Sequence, residues 1–84
     1  MRLHDDVSAT TTEYGMVLLD ERTGRYWQLS AVAALVIDQL EQGSNTIEGV
    51  VESVTDRFEV GMNRARRDVD AFLATLRSAG LVTE

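Results

Sequence analysis

The chain has 84 residues and predicts an α+β domain of winged-helix-like architecture, a three-stranded antiparallel sheet followed by three helices. Three observations support this prediction. A turn-forming stretch near residue 20 separates a short apolar run from a segment that alternates polar and apolar side chains, apolar stripes of helical period fill the second half, and no proline or low-complexity segment interrupts the chain. We therefore expect one domain over residues 1–84, with a core that buries about 60 to 65% of the unfolded surface.

The first half of the chain predicts the strands. Residues 2–9 alternate weakly between apolar and polar side chains, residues 15–20 contain a short apolar run, and residues 25–29 alternate long polar with large apolar side chains. The loop Asp20-Glu21-Arg22-Thr23-Gly24 begins with Asp and ends with Gly, as tight hairpin loops often do. The second and third strands should therefore form a β-hairpin.

The register of this hairpin divides its side chains between two faces. If Asp20 pairs with Arg25, then one face carries Met16, Leu18, Trp27 and Leu29, and the other carries Val17, Leu19, Tyr26 and Gln28. We expect Trp27 and Leu29 to pack in the core. Tyr26 has two equally weighted interpretations, because it can cover the outer face of the sheet or contact a ligand.

Two helices should follow the hairpin. Ser30 can cap a helix over residues 31–42, and Gly43 provides its left-handed ending. A second helix is expected over residues 46–58, with two alternative starts: Thr46, or Asn45 with Glu48 three residues later.

A third helix is expected over residues 62–79. Its central apolar stripe is predicted as Ala65, Val69, Phe72 and Leu76. Met62 and Leu73 lie to one side of that stripe, so the apolar face is wider than a small core requires. Gly80 is predicted to end the helix in a Schellman motif, with Leu81 folding back on Leu76.

Composition argues against an enzyme. Cys is absent and His4 is the single histidine, which excludes disulfides, thiolate zinc sites, a Cys nucleophile and a multi-histidine metal site. No glycine-rich loop joins a strand to a helix, so no phosphate cradle is expected. We predict no cofactor and no metal. The apolar run at residues 33–37 is too short to span a bilayer, and we expect a soluble, cytoplasmic protein.

Charge argues against nucleic acid as a partner. The net charge is −6, and only residues 61–80 carry more Arg than acidic side chains. A winged-helix DNA-binding or transcription-associated module using Arg64, Arg66 and Arg67 remains the main alternative. A further alternative is an oligomerising adaptor whose edge strands pair with each other. The function that we favour over these two alternatives is recognition of an extended peptide by the backbone of an edge strand, with side-chain pockets beside it.

The order of motifs resembles the PqqD family, and most closely its small free-standing members from lasso-peptide gene clusters. The resemblance lies in Asp20 to Ser30, the helix ending at Gly43, Asp68-Val69, Phe72-Leu73 with Leu76, and Gly80-Leu81-Val82. It covers most of the chain. Ser30 stands where the family usually has Asn, and it keeps a side chain that can cap a helix.

The resemblance implies that the protein recognises the leader segment of a ribosomally made, modified peptide. In this family the leader adds an antiparallel strand to the third strand, beside the third helix, and lasso pathways present it to a separate cysteine leader peptidase of transglutaminase-like fold. The implied peptide-binding residues are Leu19, Arg25, Tyr26, Trp27, Gln28, Leu29, Arg66, Val69, Asp70 and Leu73. Nucleic acid and membrane are not expected partners.

Overall fold

The computed structural model describes residues 1–43 and 46–83. The elements in chain order are β1 (Arg2–Leu3), β2 (Val7–Thr12), β3 (Gly15–Asp20), β4 (Tyr26–Leu29), α1 (Ala31–Glu41), α2 (Ile47–Arg57), α3 (Met62–Ser78) and β5 (Val82–Thr83). The predicted α+β architecture is confirmed: β2, β3 and β4 form an antiparallel sheet, and three helices follow it. A separate two-stranded ribbon pairs β1 with β5.

The first strand was predicted wrongly as a continuous segment over residues 2–9. The chain turns at Asp5 and Asp6, where the Nδ1 atom of His4 accepts a hydrogen bond from the Asp6 amide at 3.0 Å. The Val7 amide donates to the His4 carbonyl at 3.0 Å and closes the turn. The strand that pairs in the sheet therefore begins at Val7 and continues to Thr12.

The hairpin register is confirmed. Leu18 lies opposite Trp27 and Met16 opposite Leu29, while the Asp20 amide donates to the Arg25 carbonyl at 2.9 Å. Met16 and Leu18 are buried and face the helices. The core forms where this face of the sheet meets the apolar sides of the helices, and its largest fully buried side chains are Leu18, Ile37, Leu76, Leu81, Val36, Val51, Val54 and Val69.

Gly15 lets the end of the hairpin close tightly. Its φ is +154°, and a Cβ atom there would collide with the Leu29 carbonyl oxygen and lie 2.8 Å from the Ser30 carbonyl carbon. A side chain at this position would push β3 away from the junction between β4 and α1. Glycine thus allows α1 to begin directly after the sheet.

The helix ends follow from their capping residues. The Ser30 hydroxyl accepts from the Ala33 amide at 3.2 Å, and the Thr46 hydroxyl accepts from the Gly49 amide at 3.0 Å. Thr46 is therefore the start of α2, while the alternative residue Asn45 lies outside the described residues. Gly43 has a φ of +75° after the end of α1, as predicted.

The end of α3 is a Schellman motif, as predicted. Gly80 has a φ of +70°, its amide donates to the Arg77 carbonyl at 3.1 Å, and the Leu81 amide donates to the Leu76 carbonyl at 3.0 Å. Leu81 is buried, and the chain then continues into β5.

The apolar face of α3 differs from the predicted stripe at one position. Ala65, Val69, Leu73 and Leu76 are the buried residues, and Phe72 is only partly buried. Phe72 and Leu73 are neighbours about 100° apart around the helix, and the packing of α3 against α2 and α1 turns Leu73 inward. Leu73, which was predicted to lie to one side of the stripe, is therefore a core residue, and only 3% of it is exposed.

Candidate peptide-binding edge and clefts

Strand β4 is an edge of the sheet. Within the described residues its neighbour is β3 alone, so one side of its backbone has no strand partner. Asp20 and Arg25 form a hydrogen-bonded pair, and such pairs alternate with non-hydrogen-bonded pairs along an antiparallel ladder. Tyr26 and Gln28 fall in the non-hydrogen-bonded pairs, so their N–H and C=O groups point to the open edge. These are the groups that an added strand would bind.

The side chains of β4 divide as the alternation requires. Tyr26 is 68% exposed on the outer face of the sheet, next to Leu19, which is 37% exposed. Trp27 is partly buried against the core, and the Arg25 guanidinium lies over its ring, 5.2 Å from the centroid. This cation–π contact orients Arg25 along the strand. The outer face around Tyr26 is uncharged on all three strands, with Ser8, Thr10, Thr12, Val17, Leu19, Tyr26 and Gln28 pointing outward.

The hairpin loop is attached to the C-terminal end of α3 by Arg22, which also binds the buried carboxylate of Asp20. Asp20 is 3% exposed, and Arg22 binds it with Nε 3.0 Å from Oδ1 and Nη2 3.1 Å from Oδ2. The same Nη2 atom donates to the Gly80 carbonyl at 2.8 Å. Hydrogen bonding to Arg22 lowers the pKa of Asp20 below its usual range, although burial opposes this shift. Sequence analysis did not predict this site. Asp20 does follow Met16 and Leu18 in the alternation of β3, so its side chain points to the same buried face.

Two contacts fix the direction of β4 relative to α3. Arg22 places the start of β4 near the C-terminal end of α3, and Ser30, directly after β4, lines a cleft with Asp68 and Phe72 in the middle of α3. Strand β4 and helix α3 therefore run in opposite directions.

The cleft at the end of β4 has a volume of about 350 Å³. We call it the α1–α3 cleft, and it is lined by Ser30, Val32, Ala33, Val36, Asp68, Val69 and Phe72. Its lining is apolar except for Ser30 and Asp68, and the Asp68 carboxylate lies 3.8 Å from the Arg64 guanidinium in an exposed pair. Such a cleft fits an apolar side chain with a polar or basic group at its mouth.

The structure places the predicted residues of α3 on two different flanks. Val69 lies in the α1–α3 cleft, whereas Leu73 lines a separate depression with Met1 and Ile47 on the α2 side. Arg66 reaches toward α2, with Nη1 3.3 Å from Glu48, and lies 3.9 Å from Asp70. The structure thus brings Asp68, Val69 and Phe72 to the end of β4, and Asp68 and Phe72 were not predicted as site residues. Peptide contacts by Arg66, Asp70 and Leu73 stay a prediction.

Two of the three arginines of the DNA-binding alternative, Arg64 and Arg66, have acidic neighbours. Arg64 pairs with Asp68, and Arg66 lies between Glu48 and Asp70. Among residues 1–43 and 46–83, no group of three His, Cys, Asp or Glu side chains could hold a metal ion. The same residues include no helix with the length and apolarity needed to cross a membrane.

Comparisons with known proteins give consistent matches. The family model described as coenzyme PQQ synthesis protein D (PqqD) matches residues 15–82. The solved structure of lasso peptide synthetase B1 complexed with the leader peptide is 38% identical, with a TM-score of 0.87 over 99% of this chain and 96% of that chain. TbiB1 in complex with the TbiA(beta) leader peptide is 30% identical, with a TM-score of 0.86 over 96% of this chain and 93% of that one. No curated protein matches.

Proposed function

Because the chain belongs to the PqqD family, we propose that it binds the leader segment of a ribosomally made precursor peptide as an added strand on β4. The observation that supports this most directly is the outward-facing backbone of Tyr26 and Gln28 beside the α1–α3 cleft. Main-chain pairing holds any extended peptide, and the cleft supplies side-chain selectivity. The two similar structures named above were both solved with leader peptides.

The bound peptide would run antiparallel to β4. Peptide residues opposite Tyr26 and Gln28 would exchange hydrogen bonds with them, and the intervening residues would direct one set of side chains toward the helices. The protein would then present the leader to a separate cysteine leader peptidase of transglutaminase-like fold during lasso-peptide maturation. The small size of the domain and its open clefts suit a binding module.

A proline scan of the leader tests this mode of binding. Proline lacks an amide hydrogen, so at each position that donates to Tyr26 or Gln28 it should weaken binding about tenfold. Proline at the intervening positions is the matched control and should have a smaller effect. The measurement is fluorescence anisotropy of labelled leader peptides from lasso-peptide precursors. If the affinity loss does not alternate from one proline position to the next, strand addition is wrong. If no leader peptide binds, leader recognition is wrong.

Presentation to the peptidase needs a separate measurement. We expect leader cleavage by the peptidase to be faster in the presence of this protein, and Tyr26→Ala to reduce that stimulation. A cleavage rate that is the same with and without the protein would contradict presentation while leaving leader binding in place.

A further inference from the structure

A second cleft continues from the first toward the N-terminal end of α3. We call it the α2–α3 cleft; its volume is about 300 Å³, and its lining includes Val32, Phe58, Val60, Glu59, Arg64 and Asp68. Val32 and Asp68 also line the α1–α3 cleft, so the two clefts share a wall. Together they form a path along α3 that extends well beyond the end of β4.

The direction of the path determines which part of a peptide can enter it. The hairpin loop contacts Gly80 at the C-terminal end of α3, and Ser30 lies beside the middle of the helix. A strand antiparallel to β4 therefore has its N-terminal end at Ser30. Peptide residues upstream of the paired strand leave β4 where the path begins.

The chemistry of the α2–α3 cleft is apolar with an acidic rim. Phe58 and Val60 are partly buried and pack on the core while still lining the cleft. Glu59 is exposed, and Asp68 carries the second carboxylate. Arg64 offsets one of these charges through a 3.8 Å contact between exposed groups, which contributes little and can exchange for another cation.

From these observations we infer that the α2–α3 cleft is a second peptide subsite, which takes an apolar side chain and an adjacent basic side chain from the segment upstream of the added strand. This inference rests on the proposed function and extends it. Strand β4 has four residues and can pair with only a short peptide segment. Recognition would then require a longer peptide, whose upstream residues reach the α2–α3 cleft. It would also favour leaders with a basic residue before the paired segment.

Truncation of the peptide separates this subsite from the strand. A leader shortened at its N terminus to the paired segment should bind the wild-type protein about tenfold more weakly than the full leader. Val60 lines the α2–α3 cleft but not the α1–α3 cleft, so Val60→Ser should weaken binding of the full leader about three- to tenfold. The same variant should bind the shortened leader as tightly as the wild type does.

A different upstream route provides the control. Tyr14 is 84% exposed and lines an opening with Gln28 and Leu29 on the other side of the β4 end. Tyr14→Ala should leave binding of the full leader unchanged. If Tyr14→Ala weakens the full leader and Val60→Ser does not, the upstream segment follows that route and the inference is wrong. Binding of the shortened leader as tightly as the full one would also overturn it, with strand addition intact.

A charge swap tests the acidic rim. Leaders carrying Leu-Lys or Leu-Glu upstream of the paired segment should differ about fivefold in affinity, with the Lys peptide binding more tightly. Glu59→Lys should reverse the order, because it places a cation at the rim. Circular dichroism of each variant verifies that it is folded. If the wild type and Glu59→Lys bind the two peptides in the same order of affinity, the acidic rim does not contribute to recognition.

Discussion

Asp20, at the junction of β3 and the hairpin loop, is a carboxylate in a buried position. Loop carboxylates are ordinarily solvated, but the inward parity of β3 continues through Asp20 and buries it. Arg22 satisfies both carboxylate oxygens and joins them to Gly80. The contact between the hairpin loop and the end of α3 therefore depends on the Asp20–Arg22 ion pair.

This arrangement predicts acid sensitivity. Hydrogen bonding to Arg22 lowers the pKa of Asp20 in the folded state, so its stabilising contribution is fully present above the unfolded-state pKa of about 3.9. It is lost as the pH falls through the lower folded-state pKa. Urea unfolding between pH 7 and pH 2 should show, below about pH 4, a steeper acid loss of stability for the wild type than for Asp20→Asn. Parallel pH profiles would contradict the assignment.

Tyr26 and Trp27 are adjacent residues with opposite expected roles. Trp27→Ala should lower the free energy of unfolding by about 2 to 4 kcal/mol, since the ring is partly buried against the core and contacts Arg25. Tyr26→Ala should change it by less than about 0.5 kcal/mol, because the side chain is largely exposed, yet it should weaken leader binding. Thermal unfolding and peptide titration of both variants provide the measurement. A stability loss for Tyr26→Ala larger than for Trp27→Ala would refute this division.

At the scale of elements, α3 shows what periodicity can and cannot specify. A helical repeat of about 100° per residue identifies a broad apolar arc, but it does not say which edge of the arc packs inward. The arrangement of α1 and α2 decides this, and it buries Leu73 and leaves Phe72 in the α1–α3 cleft. The hairpin was predictable because its turn residues and alternation both specify the same register.

This arrangement gives a paired prediction for neighbouring residues of α3. Leu73→Ala should cost about 2 to 4 kcal/mol of unfolding free energy, as expected for a buried leucine, and Leu73→Glu should prevent folding. Phe72→Ala should cost less stability and should weaken leader binding through the lost cleft wall. Chemical denaturation and anisotropy of both alanine variants distinguish them. Normal leader affinity in Phe72→Ala would place the peptide elsewhere on the helix.

At the scale of the whole molecule, the contacts that sequence could not reveal are those between distant segments. Arg22 and Gly80 are 58 positions apart, and β1 pairs with β5 across nearly the full length of the chain. No local signal specifies such contacts. Cap residues and turn glycines act within a few positions, so the element ends were predicted more closely than the two-stranded ribbon, which was not predicted.

The domain as a whole should be stabilised by its leader and indifferent to DNA. A ligand that binds only the folded state at about 100 times its Kd adds about 2.7 kcal/mol to the free energy of unfolding. Thermal unfolding with the leader should therefore shift upward. Duplex DNA should cause no shift at any ionic strength, because the net charge of −6 opposes binding to a phosphate backbone. A salt-dependent shift with DNA would revive the winged-helix alternative.

The hydrogen bond from Arg22 to the Gly80 carbonyl also has a kinetic consequence. Because it joins the hairpin loop to the end of α3, we expect the strand edge and the helix face to keep their separation before any peptide binds. Association then requires no prior opening, and the observed rate should rise linearly with peptide concentration in stopped-flow mixing without reaching a plateau. Arg22→Ala frees the loop from Gly80, so an additional concentration-independent phase should accompany binding as the two elements find their spacing.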